Sequence, residues 1–434
     1  MEKSIFKTRR EKLLEQIKKS TEKTGSIFLW ANGVAGNQRF EQEASFYYFT
    51  GINEPSVVMQ LDFDGTTRLF IPDTRGQRAQ WLPDTCDTSL ESARRLGVDE
   101  IVYLGEPVSG YQLSPLFSER EVSRLIQELR QSLAAHGAIF TCVPQHGFDY
   151  AQQNFYLTRL AQYIPQLIPA VHDISANVAT LRRTKDMAEI ECIFRAVQAT
   201  MAMHSEITVG IVAGTQERML QAHLAAMTCA FGTQPAFEPI VATGKSSVFP
   251  HYDGSGATLC AGDMVIIDCG AQYEHYCADI TRTYPVGGTF TKRQQELYDI
   301  VVNCQIHLES LVKPGMYLNN KNMPEKSLYH HARSFFERHG CHEYMVHGIG
   351  HFLGLQVHDV GAVDEPLRES DVFALEPALY LPHEGFGIRV EDNYWLLNDA
   401  CHCFSQELVK TSSDIQRVLQ HRTHKHDSSC KCGH

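Results

Sequence analysis

Two glutamates stand inside otherwise apolar, strand-like runs, Glu376 in FALEPALYL and Glu391 in GFGIRVEDNYW. No other feature narrows the fold as much. A Glu within such a run is expected to be buried, and a buried carboxylate needs a partner. Two aspartates share the setting: Asp268 ends the apolar run DMVIID, and Asp279 begins the return run ADITRTYPV. A strand-loop-strand puts both on one sheet face, where opposed side chains sit about 5 Å apart. Bare, such a pair repels and one member must hold a proton, a penalty that a divalent cation removes. Four carboxylates balance two such cations. The plainer readings are solvated acids beside turns and, for Glu391, an ion pair with Arg389 on the same strand face.

The segment HGIGHFLGLQVHD holds His347, His351 and His358 among three glycines. That mixture predicts a closely approaching backbone lined with imidazoles. His347 and His351 are four apart, but a glycine-rich stretch is not regular helix, so this is not the H-E-x-x-H zinc pattern.

A chain of 434 residues is too long for one compact core, so two domains are expected. Residues 5–20 read as a helix, followed by β-rich runs SIFLWA, FYYFTGI, SVVMQLDF and TRLFIPD. LDFDGTTRLFI, with Asp-Gly between apolar runs, predicts a hairpin. Helical patterns near 88–96, 119–136 and 149–163 and a strand near 138–142 complete an α/β N-terminal domain, 1–175. From 176 to 405 long helical patterns flank antiparallel strands, an α+β domain. Its first long helix is expected to open on Thr184 as cap. Residues 406–434 carry HRTHKHDSSCKCGH and read as a solvated, mobile Cys/His-containing tail.

A net charge of −12 argues against nucleic acid or a membrane surface as partner, since both are polyanionic. No apolar run approaches the roughly 20 residues needed to cross a bilayer. The thirteen cysteines are odd in number and mostly scattered, the exceptions being C-x-C pairs at 401/403 and 430/432. This suits thiols in a reducing, cytoplasmic setting better than a disulfide framework.

The segment at 347–359 resembles the histidine motif of the proline peptidases, aminopeptidase P and prolidase. IDCGAQYEHYCADITRTYPV, ALEPALY and GIRVED are similar to that family's other metal-bearing segments, in the same order and with the same eleven-residue gap between aspartates. The resemblance implies a pita-bread C-terminal catalytic domain behind the α/β N-terminal domain. It also implies five metal ligands: Asp279 and Glu391 bridging two ions, Asp268 on one, and His351 with Glu376 on the other. The ions would be Mn²⁺, with Co²⁺, Zn²⁺ or Fe²⁺ as alternatives. Glu376 would move the proton of the attacking water, His358 would stabilise the oxyanion, and His251 and His347 would orient substrate. Tyr380 and Arg389 would support the ligands from behind, and Thr281 would hydrogen-bond one of them. SFYYFTGINEP and the region of Trp81 look more like aminopeptidase P, in which that tryptophan can lie near a neighbouring subunit's active site; a homo-oligomer, dimer or tetramer, follows.

The expected activity is release of the N-terminal residue from peptides with proline second. The nearest alternative is an Xaa-Pro dipeptidase, which needs the same ligands. A non-catalytic pita-bread module, a creatinase-like hydrolase and a methionine aminopeptidase fit less well. Two departures stand out. The family's Glu-Pro-Gly is Glu-Pro-Ala at 376–378, and the arginine often found before Glu376 has no match beyond the poorly registered Arg368.

Overall fold

A computed structural model describes residues 2–34, 40–75, 86–108, 118–144, 150–398 and 400–429, with side chains to residue 421. The chain divides into two units between Arg182 and Arg183, at the end of the helix Ser175–Arg183 rather than at its start.

The first unit is built on six strands: β1 (Ser26–Trp30), β2 (Val58–Asp62), β3 (Thr67–Ile71), β4 (Glu100–Tyr103), β5 (Ile139–Thr141) and β6 (Val171–Asp173). They form one mixed sheet in the order β4-β3-β2-β1-β5-β6. β2 and β3 are the antiparallel hairpin expected around Asp64-Gly65, while β5 and β6 add in parallel. Helices Ser123–His136 and Ala151–Ala161 bury Leu125, Leu129, Leu157 and Leu160 against Phe28, Val58 and Ile139.

One segment differs from its sequence pattern. FYYFTGI is not a strand: Ala44–Thr50 is a helix. Glu43 caps its start by accepting from Ser45 N and Phe46 N, and Gly51 ends it at φ 65°, a left-handed conformation that glycine adopts without strain. Ser45 to Thr50 are all buried, so the aromatic β-formers serve equally well as a helix covered on every side.

The second unit contains β7 (Gln234–Pro235), β8 (Ile240–Thr243), β9 (Met264–Cys269), β10 (Ala271–Tyr273), β11 (Tyr276–Cys277) and β12 (Ile280–Pro285). After two further helices come β13 (Val372–Leu375), β14 (Ala378–Leu381), β15 (Phe386–Arg389), β16 (Asp392–Leu397) and β17 (Ala400–Cys403). The strands pair as β12-β9-β8, β13-β16-β17, β14-β15 and β11-β10-β7. The Thr281–Glu391 bridge and the exchange of hydrogen bonds between Thr283 and Arg389 stitch β12 to the β15–β16 chain, joining these sheets into one antiparallel surface.

Helices Met187–Ile207, Glu217–Ala230, Lys292–Leu311 and Leu328–Arg338 back that surface. The first opens on Asp186, not Thr184: Asp186 and Glu189 form a reciprocal capping box, leaving Thr184 in the link after Arg183. Thr291 and Gln294 repeat the device on Lys292–Leu311. The core beneath includes Leu297, Val301, Leu308, Phe373 and Tyr394. No helix among the described residues is long and apolar enough to cross a membrane.

The C-terminal end also departs from expectation. Ser412–Ser429 is a helix whose Ile415 and Leu419 are buried in the main core, because the i, i+4 apolar pair faces inward. The mobile tail expected from 406 is therefore docked at Ile415 and Leu419. Cys430 and Cys432 lie outside the described residues.

His204, fully buried on Met187–Ile207, ties the helix to the sheet: Nε2 donates to Ile280 O at 2.9 Å and Nδ1 accepts from Tyr284 OH at 3.2 Å. Burial, followed by the charge of Arg282, holds its pKa down to about 4. A histidine depressed in the folded state binds its proton first in the unfolded chain, so its contribution is lost as pH falls from about 6.5 toward 4. Against His204→Gln, the parent should lose about 2 kcal/mol of its stability advantage between pH 7.5 and 5, read by denaturant unfolding. A constant difference across that range would contradict a neutral, desolvated imidazole.

Candidate active site

Asp268, Asp279, His351, Glu376 and Glu391 come from one strand, three strand breaks and one loop. Asp268 lies in β9 opposite Thr281, not opposite Asp279; Asp279 is two residues before Thr281 and therefore diagonal to Asp268 on the same face. Glu391 occupies the break between β15 and β16, bridged to Thr281, whose hydroxyl donates to Glu391 Oε2 at 2.8 Å. Thr281 thus sits among three carboxylates. Glu376 occupies the break between β13 and β14, its N–H donating to Ile349 O at 3.0 Å. This brings the Gly-rich loop alongside β13, where a Cβ on Gly350 would lie 2.0 Å from Ala374 O. Only glycine allows that approach.

Asp279, His351 and Glu391 form a buried group able to hold a metal ion. His351 Nε2 is 3.4 Å from Asp279 Oδ2 and 3.6 Å from Glu391 Oε1, while Nδ1 donates to Phe352 O at 3.1 Å. The backbone carbonyl fixes which nitrogen carries hydrogen and aims the other at the carboxylates. Burial raises Asp279 well above the carboxylate range, with repulsion from Glu391 and then Asp268 adding to it. Burial and then Glu391 push Glu376 up to about 8. Burial opposes charge on His351, yet Asp279 and Glu391 outweigh it and hold the imidazole well above its usual range.

The fit to a cation is visible in what these groups leave unmatched. Asp268 Oδ1, Asp279 Oδ1 and Glu391 Oε1 are buried without a hydrogen-bond partner. A buried orphan oxygen costs about 1–3 kcal/mol, more when charged, so three on neighbouring carboxylates are not retained for stability. Oxygen donors with one imidazole and no thiolate suit a divalent cation of intermediate hardness.

The arginine does not pair with Glu391. Arg389 Nη2 donates to Asp268 Oδ2 at 2.6 Å, Nη1 to Tyr380 OH at 2.6 Å, and Nε to Thr281 Oγ1 at 3.1 Å. Arg389 and Glu391 share one face, both meeting Thr281 Oγ1, but the guanidinium turns to Asp268. Tyr380 OH, accepting from Arg389, donates to His347 Nε2 at 3.0 Å; His347 Nδ1 donates to Gly348 O at 2.7 Å. Burial, then Arg389, holds His347 down to about 4, so it stays neutral. The chain Asp268–Arg389–Tyr380–His347 links a carboxylate of the cluster to its more open side.

His358 is exposed and stacks on His351, ring centroids 4.0 Å apart and 5° from parallel. Partial burial and then the charge of His351 hold it down to about 4. Its loop is closed by Asp359 N donating to Phe352 O at 3.0 Å and by a buried Lys185–Asp359 ion pair at 3.1 Å. His251 is exposed, close enough to act electrostatically on both His347 and His358. Trp81 lies outside the described residues.

Both departures from the family pattern have local explanations. Ala378 opens β14 in ordinary extended backbone and needs no positive φ. Arg368 is 49% exposed and faces Glu365 at 3.6 Å, away from the carboxylate cluster's hydrogen bonds. Two buried cations hold that stretch: Arg183, held by Asp371 at 2.7 and 3.0 Å and stacked over Phe352, and Lys185, held by Asp359.

Several supporting residues were not legible in the sequence. Asn393 clamps Asp279 by accepting from its N–H at 3.0 Å and donating to its C=O at 2.5 Å. Arg282, fully buried, pairs with Asp392 at 2.7 Å and donates to Glu391 O at 2.8 Å. Consecutive polar residues in EDNYW were the available signal, but not their partners.

The profile of metallopeptidase family M24 matches residues 191–397, and that of the aminopeptidase P N-terminal domain matches residues 6–112. An Xaa-Pro dipeptidase of Pyrococcus horikoshii is 35% identical over 251 residues, covering 56% of this chain and 67% of the relative. An Xaa-Pro aminopeptidase of Escherichia coli is 26% identical over 460 residues, covering 95% of this chain and 97% of the relative. Escherichia coli aminopeptidase P, solved with the inhibitor Pro-Leu, superposes with a TM-score of 0.81 at 24% identity, over 98% of this chain and 99% of that one. A two-domain pita-bread architecture, an apolar-strand carboxylate cluster fit for a divalent metal, and these matches agree: the chain belongs to metallopeptidase family M24.

Proposed function

We propose that this protein is a dinuclear, metal-dependent Xaa-Pro aminopeptidase. The observation that carries the reading is the buried group of Asp279, His351 and Glu391, together with the unmatched oxygens of Asp268, Asp279 and Glu391. The end-to-end match to an Xaa-Pro aminopeptidase supports it further, since the prolidase match spans about half of this chain. Asp279 and Glu391 would bridge two ions, Mn²⁺ by preference, with Asp268 completing one and His351 and Glu376 the other. Divalent ions there supply Lewis acidity to water and to the scissile carbonyl.

The chain's own groups do the rest. Glu376, adjacent to the attacking water, takes and returns its proton. Neutral His358 offers an N–H to the oxyanion, and His251 and His347 hold the peptide. Arg389 and Tyr380 keep Asp268 and His347 in register. Proline is selected by shape, since its tertiary amide has no N–H to donate. A homo-oligomer with Trp81 reaching a neighbouring site, and a reducing cytoplasmic setting, belong to the same proposal. The second is supported by the described cysteines, none of which forms a disulfide.

The aminopeptidase reading is favoured over the dipeptidase by the cations. A dipeptidase must match a free carboxylate directly after proline, best with a bidentate arginine. Here Arg368 faces Glu365 and Arg183 is committed to Asp371. kcat/KM for Ala-Pro-Ala should exceed that for Ala-Pro by about tenfold or more, a charged hydrogen bond being worth about 1.5–3 kcal/mol. A preference for Ala-Pro, with little cleavage of the tripeptide, would install the dipeptidase reading instead.

A further inference from the structure

Gln305 lies on the helix Lys292–Leu311 with no solvent exposure. Its amide nitrogen donates to two backbone carbonyls, Leu375 O and Val390 O, each at 3.2 Å. These residues immediately precede Glu376 and Glu391. Its amide oxygen accepts from Lys410 Nζ at 3.0 Å. An ammonium only donates and a carbonyl only accepts, so the partners leave the amide one orientation. Lys410 is itself held by Asp392 Oδ2 at 3.1 Å, and Asp392 by Arg282.

The placement matters because both glutamates stand where strands break. β13 ends at Leu375 and β14 begins at Ala378, while β15 ends at Arg389 and β16 begins at Asp392. The ladders hold the breaks opposite each other, Leu375 facing Asp392 and Ala378 facing Arg389, but within the breaks only Val390 N–H donating to Pro377 O at 3.3 Å crosses between the backbones. One fully satisfied side chain spans them, and the segment just before the C-terminal helix orients that side chain.

We propose that Gln305, oriented by Lys410, is a positioning residue that sets the separation of Glu376 and Glu391 and thereby the metal affinity of the site. This rests on those two glutamates being ligands. Gln305→Met keeps the volume and removes both donors. Its Mn²⁺ affinity, measured by competition with a chromophoric chelator, should fall about 10–100-fold, the usual cost of losing a partner behind a metal ligand. Excess Mn²⁺ should restore kcat toward the parent, and the thermal midpoint of the chelated protein should stay near the parent's. Lys410→Met should weaken Mn²⁺ binding in the same direction, and Lys410→Arg, which keeps a donor, should largely recover it. Parent-like Mn²⁺ affinity in Gln305→Met overturns the proposal; if that variant does not fold, the same result in Lys410→Met does. Failure of the parent itself to bind Mn²⁺ removes the metal reading, and this one with it.

Discussion

Asp279→Asn should abolish metal retention while leaving the chelated protein at least as stable as the parent. The two halves of that result have one cause. Asp279 is buried between Glu391 and Asp268, and its carboxyl sits well above the usual range from burial and their repulsion. Asn has nearly the same shape but no charge, so it relieves that repulsion. The contacts with Asn393 use the backbone N–H and C=O of residue 279 and survive the substitution. A cation, by contrast, loses the charge of a ligand shared between two positions. Metal stabilisation of the transition state is worth several kcal/mol, so activity should fall by at least about 10³-fold. Metal analysis after Mn²⁺ reconstitution and thermal unfolding in chelator test both halves. Parent-like metal content would end the dinuclear reading, and a large drop in stability would make Asp279 a structural residue.

His358→Ala should lower kcat by about 10²–10³ with metal content unchanged, the scale for removing one oxyanion donor. The stacking of His358 on His351 supplies the competing account, since truncation could loosen His351. Two anchors separate the cases. His351 is held independently through Nδ1 to Phe352 O, and the loop bearing His358 is closed by Asp359 and Lys185. Both survive the substitution. A parallel loss of Mn²⁺ affinity and kcat would identify His358 as packing for His351, and unchanged turnover would remove its role altogether.

What the sequence by itself determined follows from residues whose local setting leaves few physical options. Glu391 in an apolar run had to be buried, as it is, whereas Glu376 is half-buried at its strand break; the glycine-spaced histidines required a close backbone approach, met where Gly350 touches Ala374 O. The hairpin at Asp64-Gly65 and the long helices were legible because turn chemistry and periodicity are local. The tertiary structure decided everything that depended on a choice among distant partners. Arg389, on the same face as Glu391 and sharing Thr281 Oγ1 with it, took Asp268, 121 positions away. Ala44–Thr50 became a helix against its β-rich composition, because Glu43 and Gly51 bracket a segment covered on all sides. Ile415 and Leu419 docked what read as a solvated tail, and Lys410 reached Gln305 across 105 positions. Local propensities are worth tenths of a kcal/mol per residue, while burial of an apolar side chain or of an unmatched charge is worth several times more. Such contacts decide the outcome, and their partners are named only once the chain has folded.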